Sequence, residues 1–189
     1  DKAKMCDELN PIVDIFVKSY NPDEAKSLIE QGKVDFPLIA KPRGGNASKG
    51  IEILLTYEDF IRVSQDHIIQ ELAIPHKEDP YYGTYLSQIN KRINPQVSEI
   101  SIQIVNDKDG NLIGKTATYN KLNNGVPIEI LPYENKTIWD SIDKLIPTLR
   151  ELGHRGPLNI QGRLTDNGLK IFEMNPRFTG ITGLRALMG

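Results

Sequence analysis

The feature that most constrains the fold is a pair of segments in the second half of the chain in which apolar and polar residues alternate. Leu158–Leu164 and Leu169–Met174 flank Asp166-Asn167-Gly168, a sequence typical of a tight hairpin turn. Glu99–Val105 and Leu112–Tyr119 form a similar pair. Because strands joined by short turns pair antiparallel, these segments predict an antiparallel sheet with one face buried.

The other periodic segments predict helices mixed with further strands. Asn21-Pro22 is typical of an N-cap followed by a first helical residue, and that helix should end at Gly32. Trp139–Leu152 has an apolar face at helical spacing that includes Leu152, with Pro147 inside it as a predicted kink. A helix is also predicted near Tyr57–Gln65, and strands at Val13–Ser19, Phe36–Pro42, Ile51–Leu55, His67–Leu72 and Val126–Leu131. The whole pattern indicates an α+β fold.

One segment, Pro75–Gln96, shows no sustained period and is predicted to be a long loop. Loops of that length in compact domains are usually functional or disordered. The segment holds aromatic and basic side chains able to grip a polar substrate, namely Tyr81, Tyr82, Tyr85, Lys91 and Arg92. The alternative is a disordered surface excursion.

Composition excludes several classes of function. The 189 residues carry a net charge of −2, so neither a nucleic-acid-binding surface nor a membrane-binding surface is indicated. No apolar run approaches the roughly 20 residues that span a bilayer. Cys6 is the single cysteine, which excludes an internal disulfide and a multi-cysteine zinc site. A cytoplasmic protein is therefore the default expectation. Because the sequence opens on Asp1, we also expect flanking domains of the same chain, and a homodimer is a further expectation.

The glycine-rich segment Lys41–Gly50 is a candidate phosphate-binding loop. Glycine lets the backbone approach a phosphate closely, and successive N–H groups can form an anion-binding nest. Lys41 and Lys49 add positive charge for a polyphosphate. The segment is not a Walker A loop, because Gly-Lys followed by Ser or Thr before a helix is absent. The alternative is a flexible hairpin turn with solvated lysines.

Gln161, Glu173 and Asn175 form a candidate metal site on the last predicted hairpin. Residues two apart on a strand share a face, so Glu173 and Asn175 should lie together while Met174 turns to the other face. Oxygen atoms of such side chains suit Mg²⁺, which takes its other ligands from phosphates and water. Arg177 follows two residues later and could meet a developing anion. The alternative is an exposed hairpin of ordinary polar residues, although a buried carboxylate between apolar residues favours a cation partner.

A third segment, Ile68–Ala73, is a candidate for lining an adenine ring. An apolar strand that runs into exposed backbone amides can cover the ring and hydrogen-bond its edge. The alternative is an ordinary core strand.

Segments along nearly the whole chain resemble the ATP-grasp superfamily. Phe36–Pro42 with its glycine loop is similar to the family's ATP-lid hairpin. Glu173-Met174-Asn175-Pro176-Arg177 is similar to the metal-binding signature of carbamoyl-phosphate synthase and biotin carboxylase, and Asp1-Lys2 resembles the dipeptide that opens the domain in those enzymes. The resemblance implies an α+β ATP-grasp fold, in which two α/β lobes with antiparallel sheets grip ATP between them. It implies that residues 1–20 lead into the grasp, residues 21–75 form the small lobe with its lid, and residues 76–189 form the large lobe with the Mg site.

The same resemblance implies roles for single residues. Glu71 through its backbone and Ala73 through its amide would flank the adenine, and Glu99 would hold the ribose hydroxyls. Lys2 and Lys41 would contact the ATP phosphates or ribose. The lid over the β- and γ-phosphates would include Gly44, Gly45, Ser48 and Gly50.

The implied chemistry is activation of a carboxylate by ATP. Gln161, Glu173 and Asn175 would hold two Mg²⁺ (or Mn²⁺) ions with Glu173 bridging, and Arg177 is the predicted catalytic residue, stabilising the transferring phosphoryl group or the acyl phosphate. The implied function is ATP-dependent carboxylate–amine or carboxylate–thiol ligation through an acyl phosphate, with a small-molecule carboxylate and a nucleophile as partners. Two alternatives stay open: a non-catalytic nucleotide-binding domain and an ATP-grasp phosphotransferase.

Overall fold

The computed structural model describes residue 9 and residues 12–44 and 50–188. Within those ranges the strands form two antiparallel sheets, one of four strands and one of five. The small sheet has the order β1-β4-β2-β3. Its strands are β1 (Ser19–Tyr20), β2 (Leu38–Pro42), β3 (Glu52–Leu54) and β4 (His67–Glu71). Strands β2, β3 and β4 match the predicted apolar segments to within two residues.

Two helices cover the small sheet. Helix α1 (Pro22–Glu30) begins as predicted, because Asn21 Oδ1 accepts a hydrogen bond from the Glu24 amide at 2.8 Å. Helix α2 (Tyr57–Phe60) ends one turn after its start, well short of the predicted Gln65. The residues that follow, Ile-Arg-Val-Ser-Gln-Asp, include β-branched and turn-forming side chains that weaken a helix.

The large sheet has the order β7-β6-β5-β8-β9. Its strands are β5 (Glu99–Asn106), β6 (Leu112–Asn123), β7 (Val126–Pro132), β8 (Gly156–Thr165) and β9 (Gly168–Asn175). All five were predicted, and both predicted hairpins form with antiparallel pairing. The α+β fold class is confirmed.

Helix α3 (Tyr82–Asn90) lies within the segment that was expected to be a loop, so the prediction of a structureless Pro75–Gln96 is wrong. Tyr85 and Ile89, one turn apart, are 1% and 3% exposed and pack beside Ile39 of the small sheet. Gly83 and Thr84 give this stretch a weak helix propensity, which burial of the two larger side chains overrides.

The largest core cluster lies between one face of the large sheet and helix α4 (Lys136–Glu151). Ile102 and Ile104 of β5 and Ile142 and Leu145 of α4 are completely buried there. The helix continues across Pro147. Leu152, predicted to join the apolar face, is 66% exposed because it is the C-cap residue, beyond the last turn.

The segment before β1 departs from prediction. Only Ser19–Tyr20 forms a strand, so the predicted strand Val13–Ser19 is wrong for most of its length. Phe16, buried in the core beneath the large sheet, makes a parallel bridge to Ile171 of β9. Val17 N donates to the Ile171 carbonyl at 2.9 Å. The segment therefore joins the small sheet to the edge of the large one.

The described chain ends in helix α5 (Thr182–Met188), which places Arg185 against the large sheet. Within residues 12–44 and 50–188, no helix is both long and apolar enough to cross a membrane.

Candidate active site

A cleft of about 740 Å³ lies between the two sheets. Ile39, Lys41 and Glu71 of the small sheet line one wall. The floor is the face of the large sheet that points away from α4. The segment after β4 and the turn after β9 also line the cleft, so both sheets and both connections contribute to one site.

The floor of the cleft is polar because polar and apolar residues alternate along the strands of the large sheet. On β5, Glu99, Ser101 and Gln103 point to the cleft side, while Ile100 and Ile102 between them are buried in the core. Neighbouring strands follow the same rule and add Asn120, Asn159, Gln161, Arg163, Glu173 and Asn175 to the cleft lining. A sheet face with this many buried polar groups requires partners for them.

The three predicted metal ligands meet on this floor. Gln161 lies directly opposite Glu173 across β8 and β9, and Asn159 lies opposite Asn175. Asn175 Nδ2 donates to Glu173 Oε1 at 3.0 Å, so the two side chains touch. Met174 is 7% exposed and points into the core, as predicted.

A β-bulge on β9 sets the direction of Glu173. Gln161 pairs with Glu173 but the next residue, Gly162, pairs with Ile171, so Phe172 has no register partner. The extra residue switches the alternation: Ile171 is buried in the core, and Phe172 and Glu173 both line the cleft. A Cβ on Gly162 would lie 2.8 Å from the Lys170 carbonyl oxygen, which explains glycine at this close approach.

The oxygen ligands on this floor suit Mg²⁺, which shares its coordination between protein, water and phosphate, better than a metal ion that protein side chains coordinate alone. Among the described residues, no group of three or more His, Cys, Asp or Glu side chains could hold a metal ion. Gln161, Glu173 and Asn175 offer one carboxylate and two amide oxygens. Mg²⁺ commonly binds through one or two carboxylates and completes its shell with water and phosphate oxygens, which matches this set.

Glu99 is the second carboxylate of the floor and is 6% exposed. Burial raises its pKa, and the positive charge of Arg163 opposes that rise. Gln161 Nε2 donates to Glu99 Oε1 at 3.4 Å, which links Glu99 to the candidate metal ligands.

Sequence reasoning missed Arg163, which organises one end of the cleft. Its guanidinium donates to the carbonyl oxygens of Ala73 at 2.8 Å and Ser98 at 3.2 Å, and to the Tyr85 hydroxyl at 3.1 Å. It also lies over the Tyr85 and Phe172 rings, 4.6 and 5.5 Å from their centroids. Its position two residues after Gln161 on the same strand was the signal that could have found it.

The predicted adenine residues lie at the same end. The Ala73 carbonyl accepts from Arg163 and, at 3.0 Å, from the Tyr85 hydroxyl, so that oxygen is fully used. The Glu71 side chain forms an ion pair with Lys18 at 3.8 Å, and its backbone N–H donates to the Lys18 carbonyl at 3.0 Å. Both residues line the cleft.

Lys41 and Arg177 are the predicted cationic site residues that line the cleft. Lys41 Nζ is 5.0 Å from the centroid of the Phe172 ring, and Arg177 is exposed where the chain turns after β9. Gly44 is exposed, and Gly50 has φ +70°, where a Cβ would lie 2.9 Å from Pro42 Cγ. The predictions for Lys2, Gly45 and Ser48 concern residues outside the described ranges.

Comparison with solved structures defines the class of fold. N5-carboxyaminoimidazole ribonucleotide synthetase from Thermus thermophilus is similar over 94% of this chain and 44% of its own, with a TM-score of 0.63 and 14% sequence identity. The biotin carboxylase domain of the Hydrogenobacter thermophilus 2-oxoglutarate carboxylase, in complex with MgADP, ADP and bicarbonate, is similar over 95% of this chain and 40% of its own (TM-score 0.64, 18% identity). Phosphoribosylglycinamide synthetase from Anaerococcus prevotii matches over 94% and 42%, with a TM-score of 0.56 and 18% identity.

These neighbours are ATP-grasp enzymes, and the chain has the ATP-grasp fold. The resemblance inferred from the motifs is therefore confirmed at the level of the fold. The chain spans less than half the length of each of these three neighbours. No protein-family model matches the chain, and no curated protein matches it by sequence.

Proposed function

We propose that this chain is the nucleotide-binding part of an ATP- and Mg-dependent ligase, which joins a carboxylate to an amine or thiol through an acyl phosphate. The observation that carries the proposal is the meeting of Gln161, Glu173 and Asn175 in one cleft with Lys41. The proposal includes a likeness to carbamoyl-phosphate synthase, which rests on the sequence motifs. The fold supports it, because the ATP-grasp neighbours are ligases and carboxylases.

The nucleotide would lie along the cleft with its base beside Ala73. Since the Ala73 carbonyl is used by Arg163 and Tyr85, its amide N–H is the group that remains to hydrogen-bond the base edge. Glu99 would accept hydrogen bonds from the ribose hydroxyls. Lys41 would contact the phosphates, as would Lys2, with Gly44, Gly45, Ser48 and Gly50 in a lid above them.

Mg²⁺ or Mn²⁺ would neutralise the phosphates and the developing charge of the transferred phosphoryl group. Glu173 supplies the carboxylate, and the Asn175 amide that donates to Glu173 has its oxygen left to bind the metal. Gln161 lies opposite Glu173 on the neighbouring strand and would supply a third oxygen. Arg177 would stabilise the acyl phosphate from the exposed turn beyond β9.

A non-catalytic nucleotide-binding domain is the second candidate. The small-molecule carboxylate and nucleophile, flanking domains of the same chain, a homodimer and a cytoplasmic location stay predictions.

Thermal unfolding with and without MgADP tests nucleotide binding. We expect saturating MgADP to raise the melting temperature, since a ligand at about 100 times its Kd stabilises the folded state by roughly 2.7 kcal/mol. Glu173→Ala should lose the Mg-dependent part of that rise and keep its melting temperature without ligand. Glu78→Ala, which removes an exposed carboxylate outside the cleft, is the matched control and should behave like the wild type.

A wild-type melting temperature that does not respond to saturating MgADP would contradict the proposal. Acceptor-dependent ADP release then separates the candidates, measured on the full-length protein. A ligase requires both the carboxylate and the nucleophile, a phosphotransferase requires one acceptor, and a binding domain releases no ADP with either.

A further inference from the structure

The proposed function leaves residues 76–92 without a role, and the first part of this segment is fixed to the large sheet. His76 N donates to the carbonyl oxygen of Leu164 in β8 at 3.0 Å. Asp79 is 7% exposed, and its Oδ1 accepts hydrogen bonds from the Tyr119 hydroxyl of β6 at 2.8 Å and from Ser98 Oγ at 2.7 Å. Moving Asp79 would leave these buried hydroxyl groups unpaired, which is costly. The chain therefore enters α3 from a fixed point on the large sheet.

The later part of the same segment is attached to the small sheet. Ile89 of α3 is 3% exposed and belongs to one packed cluster with Ile39 of β2 and Ile53 of β3. Just beyond the helix, Arg92 Nη2 lies 2.9 Å from Asp59 Oδ2 in α2, and Arg92 Nε is 3.1 Å from both carboxylate oxygens. The segment therefore contacts the large sheet at one end and the small sheet at the other.

The backbone at Arg92 indicates that its side chain has a purpose of its own. Arg92 has φ +57°, its N–H donates to the Ile89 carbonyl at 2.8 Å, and the N–H of Ile93 donates to the Gln88 carbonyl at 2.9 Å. This is the position after a helix that glycine most often fills, because a Cβ is strained at positive φ. The arginine accepts that strain, and its guanidinium gains the contact with Asp59.

Asp59 is a fixed but weakly bound partner for Arg92. Asp59 Oδ2 also accepts hydrogen bonds from the amides of Leu55 at 2.9 Å and Thr56 at 3.2 Å, at the start of α2. Its hydrogen bonds with Arg92 are the largest cause of a lowered pKa of Asp59, so the pair is ionised at neutral pH. The Arg92 side chain is half exposed, and exposed ion pairs shift an equilibrium by only up to about fivefold. The contact can therefore open and close reversibly.

The attachment to the small sheet involves the strand that lines the cleft. Ile39 and Lys41 of β2 are part of the cleft wall. Tyr85 of α3 also lines the cleft, and its hydroxyl donates to the Ala73 carbonyl at 3.0 Å. Arg92 follows about two helical turns later, roughly 10 Å further along the axis. Because the start of the segment is held by the large sheet, moving β2 away from that sheet must break the contact at Arg92, together with the packing of the last turn of α3.

We propose that residues 76–92 form a brace between the two sheets, and that the Arg92–Asp59 ion pair is its release point, which sets how fast a nucleotide leaves the cleft. The brace keeps β2 and β3 over the polar floor with or without a nucleotide. Loss of the ion pair lets these strands move away more often, so a bound nucleotide dissociates faster. The inference rests on the proposed function for its nucleotide, whereas the brace itself can be measured without one.

Release of a fluorescent ADP analogue in the presence of Mg²⁺, followed by stopped flow on the full-length protein, tests the release point. Arg92→Gly removes the side chain and suits the positive φ, so this variant should stay folded. We expect its dissociation rate constant to rise by about twofold to fivefold. Arg92→Lys should lie between the variant and the wild type, because lysine keeps the charge but not the forked geometry. Arg62→Gln, which removes an exposed arginine next to α2, is the matched control and should release the analogue like the wild type.

Salt separates the ion pair from packing. The difference in release rate between the wild type and Arg92→Gly should shrink between about 0.1 M and about 1 M NaCl, where the Debye length falls from about 10 Å to about 3 Å. A difference that is the same at both salt concentrations would contradict the ion pair as the release point.

The separation of the two sheets is measured without nucleotide. Lys26→Cys on α1 and Lys108→Cys in the β5–β6 turn are both at exposed positions and accept spin labels in a chain that also carries Cys6→Ser. Electron–electron double resonance then gives the distribution of distances between the labels. We expect Arg92→Gly to increase the population at long distances by about twofold to fivefold, and Arg62→Gln to leave it unchanged.

The two measurements must agree. Faster release without longer distances, longer distances without faster release, or no change in either overturns the brace, as does an equal effect of Arg62→Gln. If the wild type does not bind the ADP analogue, the proposed function fails, and the distances measured without nucleotide still decide whether the brace exists.

Discussion

At the scale of single residues, buried charge is the dominant feature of the cleft. Glu99, Arg163 and Arg185 are each less than 9% exposed, although ionised side chains are seldom buried this deeply. Arg163 and Arg185 are held by carbonyl and side-chain oxygens, whereas Glu99 depends on neighbouring amides and on the charge of Arg163. Of these three residues, Glu99 is therefore the one whose ionisation most clearly destabilises the folded state.

The pH dependence of stability should report that cost. Burial raises the pKa of Glu99 in the folded protein above its ordinary value of 4.5. Between the unfolded and the folded pKa the folded state binds more protons, so stability falls as pH rises through that window. Glu99→Gln removes the titration, so its stability relative to the wild type should increase from pH 4 towards pH 8 in urea unfolding. Glu78→Gln, an exposed control, should show no such trend; a constant difference for Glu99→Gln would contradict the prediction.

Gly162 is required by geometry rather than by chemistry. A methyl group there meets the Lys170 carbonyl at 2.8 Å, and backbone cannot move away as a side-chain end can. We expect Gly162→Ala to lower the free energy of unfolding by about 1–3 kcal/mol, measured by urea denaturation. Because the bulge turns Glu173 to the cleft, MgADP binding should weaken as well.

Gly114→Ala is the matched control for that substitution. Gly114 also lies in a strand of the large sheet, but an added Cβ would meet nothing within 4 Å. Its effect should stay within about 0.5 kcal/mol. Equal losses in the two variants would show that the close approach at Gly162 is not the cause.

At the scale of elements, the strands were predictable where alternation and turn residues agree. The β8–β9 hairpin forms as expected because Asp166-Asn167-Gly168 allows the tight turn, with Gly168 at φ +91°. Helix α3 was missed because its two buried residues, Tyr85 and Ile89, are too few to mark a helical period. The β9 bulge was missed because it depends on Gly162 of the neighbouring strand, which local sequence does not reveal.

Packing of α3 can be tested through Ile89. The side chain is 3% exposed in the cluster that joins α3 to the small sheet. Ile89→Ala should lower the free energy of unfolding by about 2–5 kcal/mol in a denaturant titration. Ile61→Ala is the control, since Ile61 is 59% exposed and its removal leaves no cavity. A loss at Ile89 as small as that at Ile61 would mean that α3 is not packed as described.

At the scale of the whole molecule, the polar face of the large sheet unites the candidate site. Sequence reasoning predicted that Gln161, Glu173 and Asn175 share a face, and the structure brings them together with Lys41 from the other sheet. Their roles in binding and catalysis stay predictions. Arg163 and Arg185 were missed because their partners are distant in sequence: Ala73 is 90 residues from Arg163, and Ser101 is 84 residues from Arg185.

The position of Arg163 also bears on how the two lobes can move. One guanidinium holds the chain where it leaves the small sheet, at Ala73, and where it enters the large one, at Val97 and Ser98. Sliding the lobes apart would break these hydrogen bonds together, whereas rotation about the guanidinium preserves them. We therefore expect opening of the cleft to be a pivot centred on Arg163, with displacement that grows with distance from this side chain.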